Sequence, residues 1–213
     1  MKETAGPASR ATPARATSRR PDGRTARGER TRKAIVEALL ALLAEGDQRA
    51  APERIVERAG VSLRTLWTNF KDLEHLYAEA NTALMRRQDE AHQPIPPEAT
   101  LAERVSAYGA QRARLLEIVA PAARASQLRI PYSPQLRRNQ QAHIVRMRSE
   151  LNTVFAGELD AAGAEREQLM RALLHATSWP VWSVLRYDLG LDVPASANVI
   201  TNTVGALLSA PPV

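Results

Sequence analysis

"PERIVERAGVSLRTLWTNF", residues 52–70, carries the pattern on which the fold turns. Pro52 stands where the first turn of a helix tolerates a missing N–H, and Ile55, Val56 and Ala59 then share one face at helical spacing. Gly60 admits the left-handed backbone that reverses the chain between two helices, with Val61 placed to plug the corner. Ser62 offers an N-cap oxygen to a further helix from Leu63 to about Phe70, whose inward positions are Leu66 and Phe70. Its outer arc is then Leu63, Arg64, Thr65, Trp67, Thr68 and Asn69. Two helices of about eight residues joined by a glycine turn make a helix-turn-helix, and eight residues span about 12 Å, close to the width of the DNA major groove. Hydroxyls, an amide, a guanidinium and an indole N–H are the groups that bond phosphates or read base edges.

Outward from this stretch the helical periodicity continues. Upstream, Ile35, Val36, Leu39, Leu40, Leu42 and Leu43 predict a helix over roughly 29–45, closed by Gly46. Downstream, Asp72 caps a fourth helix with Leu73, Leu76, Tyr77 and Ala80 facing inward. "AHQPIPPEAT", residues 91–100, interrupts it with Pro94, Pro96 and Pro97 and marks a subdomain boundary. Beyond lie helical patterns near 98–119, 121–128, 134–159, 163–188 and 194–209, separated by proline or glycine. There is no sustained alternation and no hairpin signal, so the chain is expected to be all-α.

Length and composition narrow the classes. At 213 residues the chain can bury a real core, and without cysteine it has neither disulfides nor thiolate chemistry. It has no apolar run of the roughly 18 residues that a membrane span needs. Its start lacks the apolar centre of a secretory signal and the amphipathic stripe of a transit peptide, so a cytoplasmic protein is expected, with no membrane partner. The net charge of +6 is concentrated in residues 1–27, where seven cations oppose Glu3 and Asp22 for a net of +5. Such an arm reads as disordered, and either as a solvated tail or as a contact for a polyanion, nucleic acid first among them. Enzymatic readings find no support: His75, His92, His143 and His175 lack metal-ligand spacing, and neither a phosphate-cradling glycine loop nor a Ser, His and carboxylate motif is present. No catalytic residue, metal or cofactor is expected.

"GERTRKAIVEALLALLAEG", residues 28–46, followed by "PERIVERAGVSLRTLWTNFKDLEHLY", residues 52–77, resembles the DNA-binding domain of the tetracycline-repressor (TetR) family of transcriptional regulators. The resemblance covers about 50 residues, centred on "AGVS", Thr65, Leu66, the aromatic at 67 and Phe70. It implies an all-α homodimer: a disordered basic arm (1–27), a helix-turn-helix DNA-binding domain (28–80) and a C-terminal ligand-binding and dimerisation bundle (81–213). Departures from the family pattern are Trp67 for a usual Tyr, Asn69 for His or Tyr, Ala51 for a capping Thr, and Leu73 for a Lys whose role Lys71 can take. Arg64 replaces a residue that is small in many relatives, and a guanidinium there can bond guanine in bidentate fashion.

The expected DNA contacts are thus Arg24, Arg27 and Arg30 from the leading segment, Ser62, Leu63, Arg64, Thr65, Trp67, Thr68 and Asn69 around the third helix, and Lys71. Two-fold symmetry requires an inverted-repeat operator on double-stranded DNA, released when an unknown small-molecule effector binds the bundle. For the dimer contact, Ile200, Val204, Leu207 and Leu208 form a helical stripe in "SANVITNTVGALLSA", residues 196–210, although an intramolecular core would give the same stripe. For the effector, "SWPVW" places Trp179 and Trp182 about Pro180, which is expected to kink a helix and wall a cavity with Tyr108, Met147 and His175; the same residues could equally be plain core. Arg124, Arg129, Arg137, Arg138, Arg146 and Arg148 lie between 121 and 148 with no acid among them, either as a solvated face or as an anion site. The rival functions are a DNA binder without a defined operator and a helical small-molecule-binding protein whose head no longer reads DNA.

Overall fold

A computed structural model describes residues 23–209 of the chain except residue 128; the side chain of Arg24 and most of the expected arm lie outside the described residues. Among the described residues every regular element is helical. The first, α1, runs Gly23–Ala44, starting six residues earlier than the periodicity predicts, so Arg27, expected in the disordered arm, sits on the same helix as Arg30. Its apolar stripe, Ile35, Val36, Leu39, Leu40, Leu42 and Leu43, is buried.

The short helices α2 (Pro52–Ala59) and α3 (Leu63–Asn69) follow with the local chemistry read from the sequence. Ala51 stands at the α2 N-cap in extended conformation and makes no side-chain cap bond, since a methyl group has nothing to accept with. Gly60 ends α2 at φ 65° and ψ 34°, its N–H bonding Glu57 O at 3.2 Å while Val61 N–H returns to Val56 O at 3.0 Å. This is the paired closure that satisfies the last carbonyls of a helix. Ser62 Oγ accepts from Thr65 N–H at 3.1 Å, and Asp72 Oδ1 from His75 N–H at 2.9 Å, to start α3 and α4. Leu66, Phe70, Leu76 and Tyr77 close one core against α1.

α4 (Leu73–Ala91) runs unbroken across the boundary expected at residue 80, and α5 (Leu101–Gln127) follows the proline linker. The break expected at Pro121 does not occur. Although Pro121 gives up one helical hydrogen bond, Ala120, Ala122 and Ala125 are small enough to bury beside it, and the last two join the core of α1–α4. α5 therefore belongs to both cores, contributing Val105, Tyr108 and Leu116 to the second.

That second core is completed by α6 (Pro134–Val154), α7 (Ala156–Ala161), α8 (Arg166–Ala176), α9 (Trp179–Ser183) and α10 (Val193–Ser209). The helix expected over 134–159 is interrupted at Phe155, whose ring is fully buried and whose backbone (φ −121°, ψ 32°) leaves the helical region. The one expected over 163–188 is broken at Ser178, which is extended (φ −81°, ψ 161°), so that Pro180 lies in the first turn of α9. There its missing N–H costs little, and the expected kink is a full break. A π-helical turn, Val184–Asp188, follows.

Candidate nucleic-acid interface and bundle cavity

α3 is anchored from below by Leu66 and Phe70, which leaves Ser62, Leu63, Arg64, Trp67, Thr68 and Lys71 exposed. Trp67 is 43% accessible, a large aromatic residue left partly in water. Neither the Arg64 guanidinium nor the Lys71 ammonium makes a hydrogen bond or ion pair among the described residues, so their donors face solvent. Ser62 Oγ and Thr65 Oγ1 share one proton at 2.9 Å, which leaves one hydroxyl hydrogen of the pair available. Thr68 Oγ1 donates to Arg64 O at 2.7 Å.

Two expected contacts sit differently. Thr65 and Asn69 are half-buried, and the Asn69 amide donates to Thr65 O at 2.8 Å, so one donor of that amide is already bound within the helix. Arg27 and Arg30 are exposed on the first turns of α1.

The residue that fixes this arc was not among those read from the sequence. Arg32 on α1 donates through Nε to Glu79 Oε1 at 2.7 Å and through Nη2 to Glu79 Oε2, while Nη1 bonds the carbonyl of Asn69 and the guanidinium lies 4.3 Å from the Phe70 ring centre. It therefore ties α1, the C-terminal end of α3 and α4 together, and it places a cation at the negative end of α3.

In the bundle, α4, α5, α6, α8 and the start of α9 line a largely apolar, partly open cavity of about 390 Å³, within the range of small-molecule sites. Met147, His175 and Trp179 line it as expected from the sequence, with Met85, Val119 and Leu174. Tyr108 and Trp182 do not. Tyr108 is fully buried against Phe155, its ring 5.4 Å away edge-on, with burial pushing the phenol up to about 12. Trp182 is equally buried and gives its indole N–H to Glu117 Oε1 at 2.8 Å, an acceptor also bonded by Arg186 Nε at 3.1 Å. Both belong to the second core, against which Trp179 packs only in part.

The stripe expected to form a dimer contact is also core. Ile200 and Val204 are buried and Leu207 and Leu208 partly so, all packed against the bundle of their own chain. The opposite side of α10 carries the exposed Val199, Asn202, Thr203 and Ala206. The arginine run between 121 and 148 disperses: Arg146 pairs with Asp89, Arg148 with Glu167, Arg129 bonds Ala125 O and covers the Tyr77 ring, and Arg124 lies over Tyr187. These cations share no common focus, an arrangement that fits the solvated-face reading of the run.

No protein-family model matches the sequence, and no curated protein does. Solved structures do match. A transcriptional regulator from Rhodococcus sp. Rha1 superposes with a TM-score of 0.61 at 20% identity, covering 83% of this chain and 95% of that one. A TetR-family transcriptional regulator from Mesorhizobium loti MAFF303099 gives 0.59 at 18% identity, covering 86% and 97%. The chain has the fold of the TetR-family regulators. In a TetR-type fold the exposed arc of α3 belongs to the helix-turn-helix head and the cavity to the helical bundle. Among the described residues, no three His, Asp or Glu side chains gather as a metal site, and no helix is long and apolar enough to cross a membrane.

Proposed function

We propose that the chain is a TetR-family transcriptional regulator, a homodimeric repressor that binds an inverted-repeat operator and leaves it when a small molecule occupies the bundle cavity. The observation that carries this reading is the solvent-facing arc of α3. Arg64, Trp67 and Thr68 stand outward on a helix of groove-sized length with Lys71 exposed just past its end, and the two cations are unpaired among the described residues. A basic, donor-rich helix surface is what base edges and phosphates require.

Ligand response draws its support from α4. Leu76, Tyr77 and Ala80 of this helix lie in the core of the head, and Asn81, Met85 and Gln88 line the cavity. A ligand that favours one shape of the cavity therefore acts on the helix that carries the head, and shifts the population of head positions by its differential affinity.

The test is footprinting and titration on the DNA flanking the gene. Two half-sites in inverted repeat are expected. Arg64→Ala should remove about 1–3 kcal/mol of discrimination at one base pair of each half-site. Lys71→Ala should weaken all sequences alike and reduce the salt slope by about one. A single unrepeated footprint, or sequence preference unaltered by Arg64→Ala, overturns the reading.

A further inference from the structure

Arg112, midway along α5, is 2% exposed and makes no ion pair among the described residues. Its partners are all neutral: Nε donates to the carbonyl of Thr177 at 2.6 Å, and Nη2 meets the Met147 sulfur at 3.0 Å and His143 Nε2 at 3.2 Å. Burial pulls its proton affinity below that of an ordinary arginine, yet a guanidinium keeps its charge. An unpaired buried cation costs several kcal/mol on general grounds, and here no carboxylate among the described residues bonds it, Glu150 acting on it only from a distance.

The surroundings show where an anion would come from. Arg112 lines a second cavity of about 380 Å³, and Gln88, His143 and Met147 are walls of both this cavity and the larger apolar one. The two side chains that contact Nη2 are thus the partition between the spaces. His143 is held neutral, its imidazole pushed down to about 3 by burial, with Arg112 and Arg146 adding to the effect. With Nε2 accepting from Arg112, its proton is assigned to Nδ1. Thioether and neutral imidazole are weak acceptors compared with a carboxylate, which bonds a guanidinium through two parallel N–H···O contacts. The acids that also line the second cavity are engaged elsewhere: Asp89 pairs with Arg146, and Glu150 accepts from Gln111 Nε2 at 2.7 Å and faces His92 Nε2 at 3.3 Å.

We propose that the effector is a monocarboxylate with an apolar body, its carboxylate bound by Arg112 at the His143–Met147 partition and its body in the cavity lined by Met85, Val119, Leu174 and Trp179. The proposal rests on the reading of this cavity as the effector site. Isothermal titration of the full chain, without DNA, against decanoate, dodecanoate and naphthoate, each paired with its primary amide, tests it. At least one acid should bind about tenfold or more tightly than its amide, the range of a charge-assisted bond over a neutral one. Arg112→Met should bring acid and amide to parity while amide binding stays within about twofold, its folding checked by a melt because the Thr177 carbonyl loses its donor. Arg112→Lys, which keeps the charge and loses the fork, should fall between the two; if the methionine variant does not fold, the parent and the lysine variant carry the comparison. Equal binding of acid and amide by the parent, no binding of any acid, or an acid preference that survives Arg112→Met overturns the proposal. A chain that prefers acids but binds no operator keeps this assignment and loses the regulator reading; one that binds an operator without preferring acids does the reverse.

Discussion

Arg32 joins three helices through one guanidinium, and its removal tests what holds α3 in place. Arg32→Ala deletes a bidentate pair to Glu79, the bond to the Asn69 carbonyl and the contact with the Phe70 ring, and is expected to cost roughly 1–3 kcal/mol by thermal or urea melting. Arg32→Lys should recover less than half of that, because an ammonium cannot bond both carboxylate oxygens and the carbonyl from one plane. Operator binding should fall in the same order, since a loosened α3 end must be reordered on DNA. His143 gives the pH counterpart. Its ordinary value near 6.5 is pushed to about 3 in the fold, so the unfolded chain takes up a proton that the folded chain refuses. Stability is therefore complete above about pH 6.5 and declines as pH falls from there, by up to about 1.4 kcal/mol per pH unit. Melts between pH 7 and 5, above the carboxylate range, should show a limb that His143→Gln flattens; an unchanged limb would place the titration on another group. Ser62, Gly60 and Asp72 were legible in the sequence because a cap bonds within three or four residues of itself. Arg32 and Arg112 were not, because their partners lie 37, 47 and 65 positions away, and nothing local marks an arginine as buried.

At the scale of elements, α5 and α10 approach closely at Gly109. A Cβ added to Gly109 would come 3.0 Å from Thr201 Cβ and 3.3 Å from Thr201 Cα, and closer still to Thr201 Oγ1, so α10 approaches because position 109 has no side chain. Gly109→Ala is expected to destabilise by roughly 1–3 kcal/mol through overpacking, against the gain a helix usually draws from alanine. Thr201→Ala should return part of it in the double variant, because the hydroxyl is the worst clash and the Cβ remains; additive losses would show that the two sites do not couple. The sequence placed α2, α3 and α4 within a residue or two, since Pro52, Gly60, Ser62 and Asp72 punctuate them by local chemistry. It failed in the bundle, where tertiary packing decides. Pro121 is carried through α5 by the alanines that bury beside it, and the pattern over 163–188 looked continuous because periodicity on both sides of Ser178 is helical while the break itself is polar and small.

For the whole molecule, the reassignment of the α10 stripe moves the proposed dimer contact to the other side of that helix. Ile200 and Val204 fill the protomer's own bundle, and an apolar stripe read from sequence cannot say which surface covers it. What remains exposed is informative: four of the nine large apolar side chains left in water among the described residues, Val184, Tyr187, Leu189 and Val199, belong to the π-helical turn, the residue after it and α10. Asn202, Thr203 and Ala206 continue from Val199 at helical spacing with short side chains, which lets two copies of α10 approach closely. Because a two-fold contact presents each substitution twice, Val199→Glu brings two carboxylates into one apolar interface. It should weaken the dimer by at least about tenfold in analytical ultracentrifugation, and operator affinity should fall with it, since a monomer holds one half-site. Val145→Glu on α6, more exposed than Val199 at 66% against 40%, is the matched control and should leave both unchanged. If Val199→Glu stays dimeric on the full operator, the two heads are joined through another face, and the spacing of the half-sites would have to be explained from that geometry instead.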